Sequence, residues 1–119
     1  MIFIGTDIIE ISRINKIIRD KGHHFLAHIF TNNEQSICNA KSSPSIHYSG
    51  KFAAKEAVKK ALLSSNLKKN ISLKTIEIQN ELNGAPNVVI KENKDLFNIQ
   101  VSISHTKDYA IAMAILQIK

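Results

Sequence analysis

The 119-residue sequence holds a single cysteine, no tryptophan, two prolines and four glycines. Because Cys38 has no second thiol to pair with, a disulfide framework within the chain is excluded, and a reducing, cytoplasmic compartment is expected. Long apolar runs are missing too, since the longest late one, Tyr109–Leu116, is far shorter than the ~20 residues that span a bilayer. Asp7 and Glu10 interrupt the opening apolar run, so neither a signal peptide nor a membrane partner is expected.

The composition is typical of an ordered globular protein. Hydrophobic residues make up 44% and charged residues 22%, and the length suits one domain over residues 1–119 with one modest core. Sixteen basic residues against ten acidic ones leave a net charge of +6, so we expect an anionic partner. Charge alone leaves three kinds of anion open: nucleic acid, a phosphorylated cofactor or an acidic protein.

The hydrophobic pattern predicts an α+β fold, in which an antiparallel sheet carries helices on one face. The clearest helix is predicted over Lys51–Leu63, which is alanine-rich and free of glycine and proline. We expect it to pack closely on the alanine side of the last strand, formed by Ala110, Ala112 and Ala114. The other predicted segments are strands at Met1–Ile4, Thr75–Asn80, Asn87–Lys91, Ile99–Ser104 and Tyr109–Gln117, a helix around Ile14–Ile18 that stops at Gly22, a helix that begins at the capping box Thr31–Glu34, a loop at Lys41–Ser45 and a turn at Asn83–Pro86.

Two acidic residues are candidates for chemistry because of their positions. Asp7 follows the first predicted strand, so its side chain is expected to project from a sheet end; a turn or helix-cap role is the simpler interpretation. Glu56 lies in the middle of the predicted helix, where an ion pair with Lys60 at i,i+4 is the simpler interpretation. Together the two carboxylates suit Mg²⁺, which completes its shell with water and phosphate oxygens. Lys60 would then face the same phosphate.

Five short motifs follow one another along the chain. They read Gly-Thr-Asp-Ile-Ile-Glu-Ile-Ser-Arg-Ile at 5–14, Phe-Thr-Asn-Asn-Glu at 30–34, Phe-Ala-Ala-Lys-Glu-Ala-Val-Lys-Lys-Ala at 52–61, Asn-Gly-Ala-Pro at 83–86 and Ser-Ile-Ser-His-Thr at 102–106. In order, spacing and total length the set resembles the holo-acyl-carrier-protein synthases, the short single-domain type of 4′-phosphopantetheinyl transferase. The helix motif is the most specific of the five, and the resemblance covers essentially the whole chain.

The resemblance implies a Mg²⁺-dependent transfer of phosphopantetheine from coenzyme A to an acyl carrier protein, a step of fatty acid biosynthesis. It implies that Asp7 and Glu56 bind the metal. Lys60, with Lys51 as a weaker candidate, would neutralise a phosphate oxygen. The nucleotide end of the cleft would be lined by Asn83, Gly84, Pro86, His105 and Thr106.

The resemblance also bears on docking and assembly. Arg13 lies on the helix that meets the acidic carrier protein in this family, and Lys16 and Arg19 would assist it. Family members are typically homotrimers with active sites between chains. One departure concerns the loop at Leu63–Asn66, where the family often has a glycine-rich turn and this chain has no glycine, so the role of that loop is left open.

The predicted reaction is attack of a carrier-protein serine hydroxyl on the β-phosphate of coenzyme A, with release of 3′,5′-ADP. The base that accepts the serine proton stays open between Glu56, a metal-bound water and His105. Which carrier protein is served, and whether acylated coenzyme A is accepted, is also left open.

Two other classes of protein remain as alternatives. A small basic nucleic-acid-binding module would explain the +6 charge, although the chain has no recognised binding motif and only 6% aromatic residues. Salt-sensitive retention on heparin or DNA, without magnesium-dependent coenzyme A binding, would identify it. A non-catalytic coenzyme A or carrier-protein adaptor would keep the fold and lose turnover. The intact set of Asp7, Glu56 and Lys60 argues against it.

Overall fold

The computed structural model describes residues 1–92 and 95–119 and confirms the predicted α+β class, with antiparallel sheet and helix combined. Over these residues the helices and strands follow one another as β1 Ile2–Glu10, α1 Ile11–Lys21, α2 His23–Ile29, α3 Asn32–Asn39, α4 Pro44–Ser65, a short 3₁₀ turn Leu73–Thr75, β2 Ile76–Asn80, β3 Pro86–Ile90, β4 Phe97–His105 and β5 Tyr109–Ile118.

The strands form two antiparallel sheets. The larger sheet has the order β1-β5-β4, and β2 pairs with β3 in a separate hairpin. Helix α4 lies across one face of the larger sheet. Ala110, Ala112 and Ala114 are 0%, 1% and 0% exposed beneath this helix, which confirms the predicted small-residue contact.

The first strand is longer than predicted. Strand β1 continues to Glu10 and pairs with β5 along its whole length, so the prediction that it ends at Gly5 is wrong. Gly5 marks the point where the strand comes closest to α4 and leaves no room for a side chain. Asp7 therefore lies inside a strand, and both a sheet-end position and a turn or cap role are wrong for it.

Helix α4 begins earlier than predicted. It starts at Pro44, so the predicted loop at Lys41–Ser45 is shorter by two residues. Proline is suited to the first helical turn because the amide hydrogen that it lacks would have no partner there. At the other end, Asn66 adopts the left-handed conformation at φ 61°. Asparagine tolerates that region, so Asn66 closes the helix without a glycine.

A predicted helix end, a predicted helix start and a predicted turn are confirmed. Gly22 ends α1 with φ 53°, a conformation that favours glycine. Thr31 and Glu34 form the full capping box at the start of α3. Gly84, with φ 88°, lies in the turn between β2 and β3. Helix α2, with no fully buried residue, is the element that the periodicity analysis missed.

The sheet face opposite α4 is apolar and uncovered in the single chain. Large side chains from the two neighbouring strands β1 and β5 point outward there, with exposed fractions between 38% and 62%: Ile2, Ile4, Ile8, Ile111, Met113 and Ile115. Within residues 1–92 and 95–119, no helix has the length and apolar character needed to cross a membrane.

Candidate active site

Asp7 and Lys60 meet at the surface between β1 and α4. The Lys60 ammonium lies 3.2 Å from Asp7 Oδ1 and donates to the Thr6 carbonyl at 2.9 Å. The Asp7 side chain is 17% exposed and the Lys60 side chain 52% exposed, so the pair lies at the edge of the helix–sheet interface. The predicted i,i+4 pair between Lys60 and Glu56 is not what the structure shows, because the ammonium binds the strand instead.

Glu56 lies beside this pair on α4. It is half-buried one helical turn before Lys60, on the same side of the helix. Among the described residues, no hydrogen-bond donor and no ion-pair partner engages its carboxylate. Asp7 and Glu56 are thus two carboxylates on adjacent elements. The Asp7 carboxylate already binds the Lys60 ammonium.

The donor set at this place fits Mg²⁺. The oxygens of Asp7 and Thr6 already converge on the Lys60 ammonium, so the site is shaped for a cation. In the described part of the chain, no cluster of three or more His, Cys, Asp or Glu side chains is placed to enclose a metal ion. Mg²⁺ is commonly held by only one or two carboxylates, with water and substrate phosphate as the other ligands. Two carboxylates such as those of Asp7 and Glu56 would therefore be enough protein ligands for this ion.

Lys51 has different partners from the phosphate predicted for it. Its side chain is buried, and its ammonium donates to the Ile78 carbonyl at 2.8 Å and to Asn80 Oδ1 at 2.9 Å. The Asn80 amide donates in turn to the Gly84 carbonyl at 3.3 Å. Burial lowers the pKa of Lys51. Lys51 thus ties α4 to the hairpin whose turn was predicted to bind the nucleotide.

The Asn83–Pro86 turn itself is exposed and ordered by local hydrogen bonds. Asn83 Oδ1 accepts from the Ala85 amide at 2.9 Å, and the Gly84 amide donates to the Glu81 carbonyl at 2.9 Å. This arrangement leaves the backbone at Gly84 open, since a Cβ there would meet nothing within 4 Å. The turn is therefore unobstructed at Gly84.

His105 and Thr106 lie at the end of β4. The Thr106 hydroxyl accepts from the Tyr109 amide at 3.2 Å and so shapes the β4–β5 turn, while the His105 ring is exposed. A second histidine, missed by sequence reasoning, lies close by on α4. Burial lowers the pKa of His47, and the charges of Lys41 and His105 lower it further. No local sequence pattern indicates that His47 and His105 lie near each other.

A buried ion pair lies beneath these surface groups and was not predicted. Lys55 and Glu34 are both fully buried, and their side chains form a salt bridge. The Lys55 ammonium also donates to the Ile29 and Leu73 carbonyls, and Glu34 accepts from the Ile78 amide at 2.8 Å. Burial lowers the pKa of Lys55, although Glu34 opposes that shift. The pair joins α3, α4 and β2.

The predicted docking residues share one helix surface. Arg13, Lys16 and Arg19 all point into solvent from α1. A single acidic neighbour approaches one of them, Asp20 at 4.0 Å from Arg19. The surface is therefore strongly basic.

The structure brings only part of the predicted set together. Asp7, Glu56 and Lys60 form one group along β1 and α4. The Asn83–Pro86 turn and the His105–Thr106 turn form separate groups at the hairpin and at the end of β4. Within one chain, the described residues show no hydrogen bond from either turn to Asp7.

Comparison of the sequence with known proteins identifies the family of this chain. A sequence model of the 4′-phosphopantetheinyl transferase superfamily matches residues 3–114. The chain belongs to this superfamily. Within it, the chain is 45% identical over 116 residues to a holo-[acyl-carrier-protein] synthase of Protochlamydia amoebophila (strain UWE25), with 94% of each sequence covered. The resemblance seen in the five motifs is thereby confirmed.

Solved structures of the same kind of protein share the fold. A holo-(acyl-carrier-protein) synthase from Bacillus anthracis in complex with CoA (3′,5′-ADP) is 32% identical, with a TM-score of 0.83 and coverage of 98% of this chain and 96% of that one. The Helicobacter pylori holo-[acyl-carrier-protein] synthase in complex with coenzyme A is also 32% identical, with a TM-score of 0.83 and coverage of 96% and 99%.

Proposed function

We propose that this chain transfers the 4′-phosphopantetheine group from coenzyme A to a serine of an acyl carrier protein, in the cytoplasm and in the service of fatty acid biosynthesis. The observation that carries the proposal is the meeting of Asp7 and Lys60 one helical turn from Glu56. Two carboxylates and a lysine are the groups that a pyrophosphate with its Mg²⁺ requires. The buried free thiol of Cys38 suits a reducing compartment.

The reaction forms one bond and breaks another. The carrier serine oxygen attacks the β-phosphorus of coenzyme A, and the bond from that phosphorus to the bridging oxygen breaks. The serine proton passes to a base, and 3′,5′-ADP leaves with the bridging oxygen. Glu56, which is half-buried, and His105, which is exposed, are the two side chains of this chain proposed to accept that proton.

Each site residue has a part in positioning the pyrophosphate. Asp7 and Glu56 would hold the Mg²⁺, which when bound offsets charge on the pyrophosphate and on the leaving group. Lys60 reaches the same place from α4 and supplies a positive charge to a phosphate oxygen. Catalysis of phosphoryl transfer depends mainly on such positioning and charge neutralisation.

The nucleotide end of coenzyme A is assigned to the two turns. The open Gly84 backbone would let the base approach, with Asn83 and Pro86 on either side. His105 and Thr106 would contact a phosphate of the nucleotide from the end of β4. Lys51 holds the hairpin beneath through Ile78 and Asn80 and contributes its positive charge from below the turn.

The carrier protein is assigned to α1. Arg13, Lys16 and Arg19 are exposed there and present positive charge, which suits an acidic partner. Helix α1 follows β1 directly, so a partner docked on it would lie near Asp7.

We further propose that the chain assembles as a homotrimer with active sites between chains. Support comes from the uncovered sheet face, where Ile8 and Ile111 are 62% and 48% exposed on neighbouring strands. Contiguous exposed apolar surface of this kind marks an interaction site. Assembly would also explain why the two turns lie apart from Asp7 within one chain, since a neighbouring chain can bring its own turns to the site.

The deciding experiment is direct. The protein is incubated with an apo-acyl carrier protein, coenzyme A and Mg²⁺, and the carrier is weighed by mass spectrometry. We expect a mass gain equal to phosphopantetheine, which Asp7→Ala, Glu56→Ala or excess chelator should largely abolish while circular dichroism shows an unchanged fold. No mass gain in the wild type would refute the proposal, and full activity with chelator would refute its metal site.

A further inference from the structure

Lys60 cannot bind Asp7 and a phosphate of coenzyme A with the same ammonium while a metal ion also occupies Asp7. In the structure its ammonium binds Asp7 Oδ1 at 3.2 Å and the Thr6 carbonyl at 2.9 Å. The proposed function assigns Asp7 to Mg²⁺ and Lys60 to a phosphate of coenzyme A. A divalent cation on Asp7 would therefore come within a few ångströms of the ammonium where it now lies.

Like charges at this distance exclude one another. Two unit charges about 4 Å apart repel enough in water to change a binding constant about fivefold, and the double charge of a divalent ion squares that factor, to roughly 25-fold. The Asp7 carboxylate, only 17% exposed, is also poorly placed to hold both cations. Binding of the metal ion therefore requires the ammonium to leave.

The Lys60 side chain is able to leave. Its side chain is 52% exposed and emerges from the last third of α4, and lysine has a flexible four-carbon stem. Movement away from β1 would cost the contacts to Asp7 and Thr6. A phosphate oxygen nearby would replace both contacts with a charge-assisted hydrogen bond.

We propose that Lys60 occupies the cation position on Asp7 in the free protein and gives it up when coenzyme A supplies a phosphate. Lys60 thereby lowers the affinity for a divalent cation alone and makes cation and coenzyme A bind together. Such coupling is reciprocal, so each ligand raises the affinity for the other by the same factor. The inference rests on the metal site of the proposed function.

The test is Mn²⁺ binding to the purified protein without carrier protein, measured from the free-ion signal in electron paramagnetic resonance. Without coenzyme A, we expect Lys60→Met to bind Mn²⁺ at least about fivefold more tightly than the wild type. Lys59→Met removes the same charge from the neighbouring, half-buried position and is expected to stay within about twofold of the wild type. Lys60→Gln serves as a second variant if Lys60→Met unfolds.

A second titration includes saturating coenzyme A, with a protein-free reference for Mn²⁺ bound by coenzyme A itself. Coenzyme A should raise the Mn²⁺ affinity of the wild type at least about fivefold more than that of Lys60→Met. Equal or weaker Mn²⁺ binding by Lys60→Met without coenzyme A would overturn the inference. A result in which neither the wild type nor any variant binds Mn²⁺ would overturn it too.

Asp7→Asn separates this inference from the metal site on which it rests. If Asp7→Asn weakens Mn²⁺ binding and Lys60→Met does not strengthen it, the metal site stands and the role of Lys60 is wrong. If Asp7→Asn leaves Mn²⁺ binding unchanged, the metal site itself fails and the inference fails with it.

Discussion

Gly5 of β1 lies directly against the Ala57 carbonyl of α4. A Cβ built on Gly5 would lie 1.9 Å from that oxygen and 2.9 Å from the Ala61 amide nitrogen, closer than side-chain atoms approach backbone. The spacing of strand and helix is thus set by the absence of a side chain. Because Asp7 follows two residues later and Lys60 lies on the facing helix, the same spacing fixes the distance between them.

Gly5→Ala is expected to destabilise the fold by at least the ~1–3 kcal/mol typical of overpacking, because the groups it would strike are backbone and cannot rotate away. Urea unfolding followed by circular dichroism measures the loss. Gly50→Ala is the matched control. A Cβ there meets only the Ile103 methyl at 3.2 Å, and better helix propensity offsets the contact. Equal stability of Gly5→Ala and wild type would contradict this account.

Much of the fold could be predicted from local pattern. The alternation in β5 and the alanine face were sufficient to place α4 on the sheet, and Thr31 and Glu34 formed the capping box that their spacing indicated. The errors came from the assumption that glycine ends a strand and that proline marks a loop. Gly5 serves a tertiary contact inside a strand, and Pro44 opens a helix.

The site could be predicted only in part, because contacts across the fold leave no local pattern. Spacing on one helix indicated that Glu56 and Lys60 are neighbours, but not that Lys60 binds Asp7, which lies 53 residues away. The buried Lys55–Glu34 pair was missed for the same reason. Lysine in an exposed-looking helix pattern gives no sign that its ammonium is fully buried.

Lys55→Met is expected to cost about 3–5 kcal/mol, because it leaves the fully buried Glu34 carboxylate without its positive partner. The double variant Lys55→Met with Glu34→Gln removes both charges and should recover part of that loss. Free energies of urea unfolding for the two single variants and the double variant give the coupling energy. If the single losses simply add, the two side chains are not coupled and the interpretation of the pair is wrong.

Cys38 should make the fold sensitive to alkali. Burial raises the pKa of Cys38 from 9.0 to about 11, so the folded protein keeps a proton that the unfolded chain loses. The resulting stabilisation is complete below pH 9 and is lost as pH rises toward 11. Between pH 8 and pH 10.5 this one group should cost about 2 kcal/mol.

Cys38→Ala isolates that contribution. Other groups titrate in the same range: burial raises the pKa of Tyr48 to about 12, and burial lowers the pKa values of Lys51 and Lys55, which act in the opposite direction. All of them remain in the variant, and the Cys38 thiolate acts on the charges of Tyr48 and Lys51, so the difference in pH dependence reports Cys38 together with its coupling to these two groups. Urea unfolding of both proteins at pH 8 and pH 10.5 measures it. Parallel losses in the two proteins would show that the thiol does not titrate as expected.

Arg13→Glu is expected to raise the KM for the carrier protein at least about tenfold and to leave the KM for coenzyme A within about twofold. Reversal of a charge on a docking surface slows association and weakens binding, and Arg13 is exposed on the basic side of α1. Lys119→Glu, after β5, reverses one positive charge at another exposed position and serves as the control. An equal rise in both KM values for Arg13→Glu would remove α1 from the docking site.

The uncovered sheet face is where we expect the chains to join. Ile111 lies on the middle strand β5, paired with Ile8 of β1, and 48% of its surface is exposed in the single chain. If this face joins the chains, Ile111→Lys places an unpaired charge in an apolar interface and should convert a trimer to monomers in light scattering. Transfer activity should fall with the trimer, because each site needs turns from a neighbour. Leu96→Lys, at an equally exposed position with 49% exposure on the loop before β4, should change neither the mass nor the activity. A wild type that is monomeric and fully active at assay concentration would show that one chain completes the site, and a trimeric Ile111→Lys protein would place the interface on another surface.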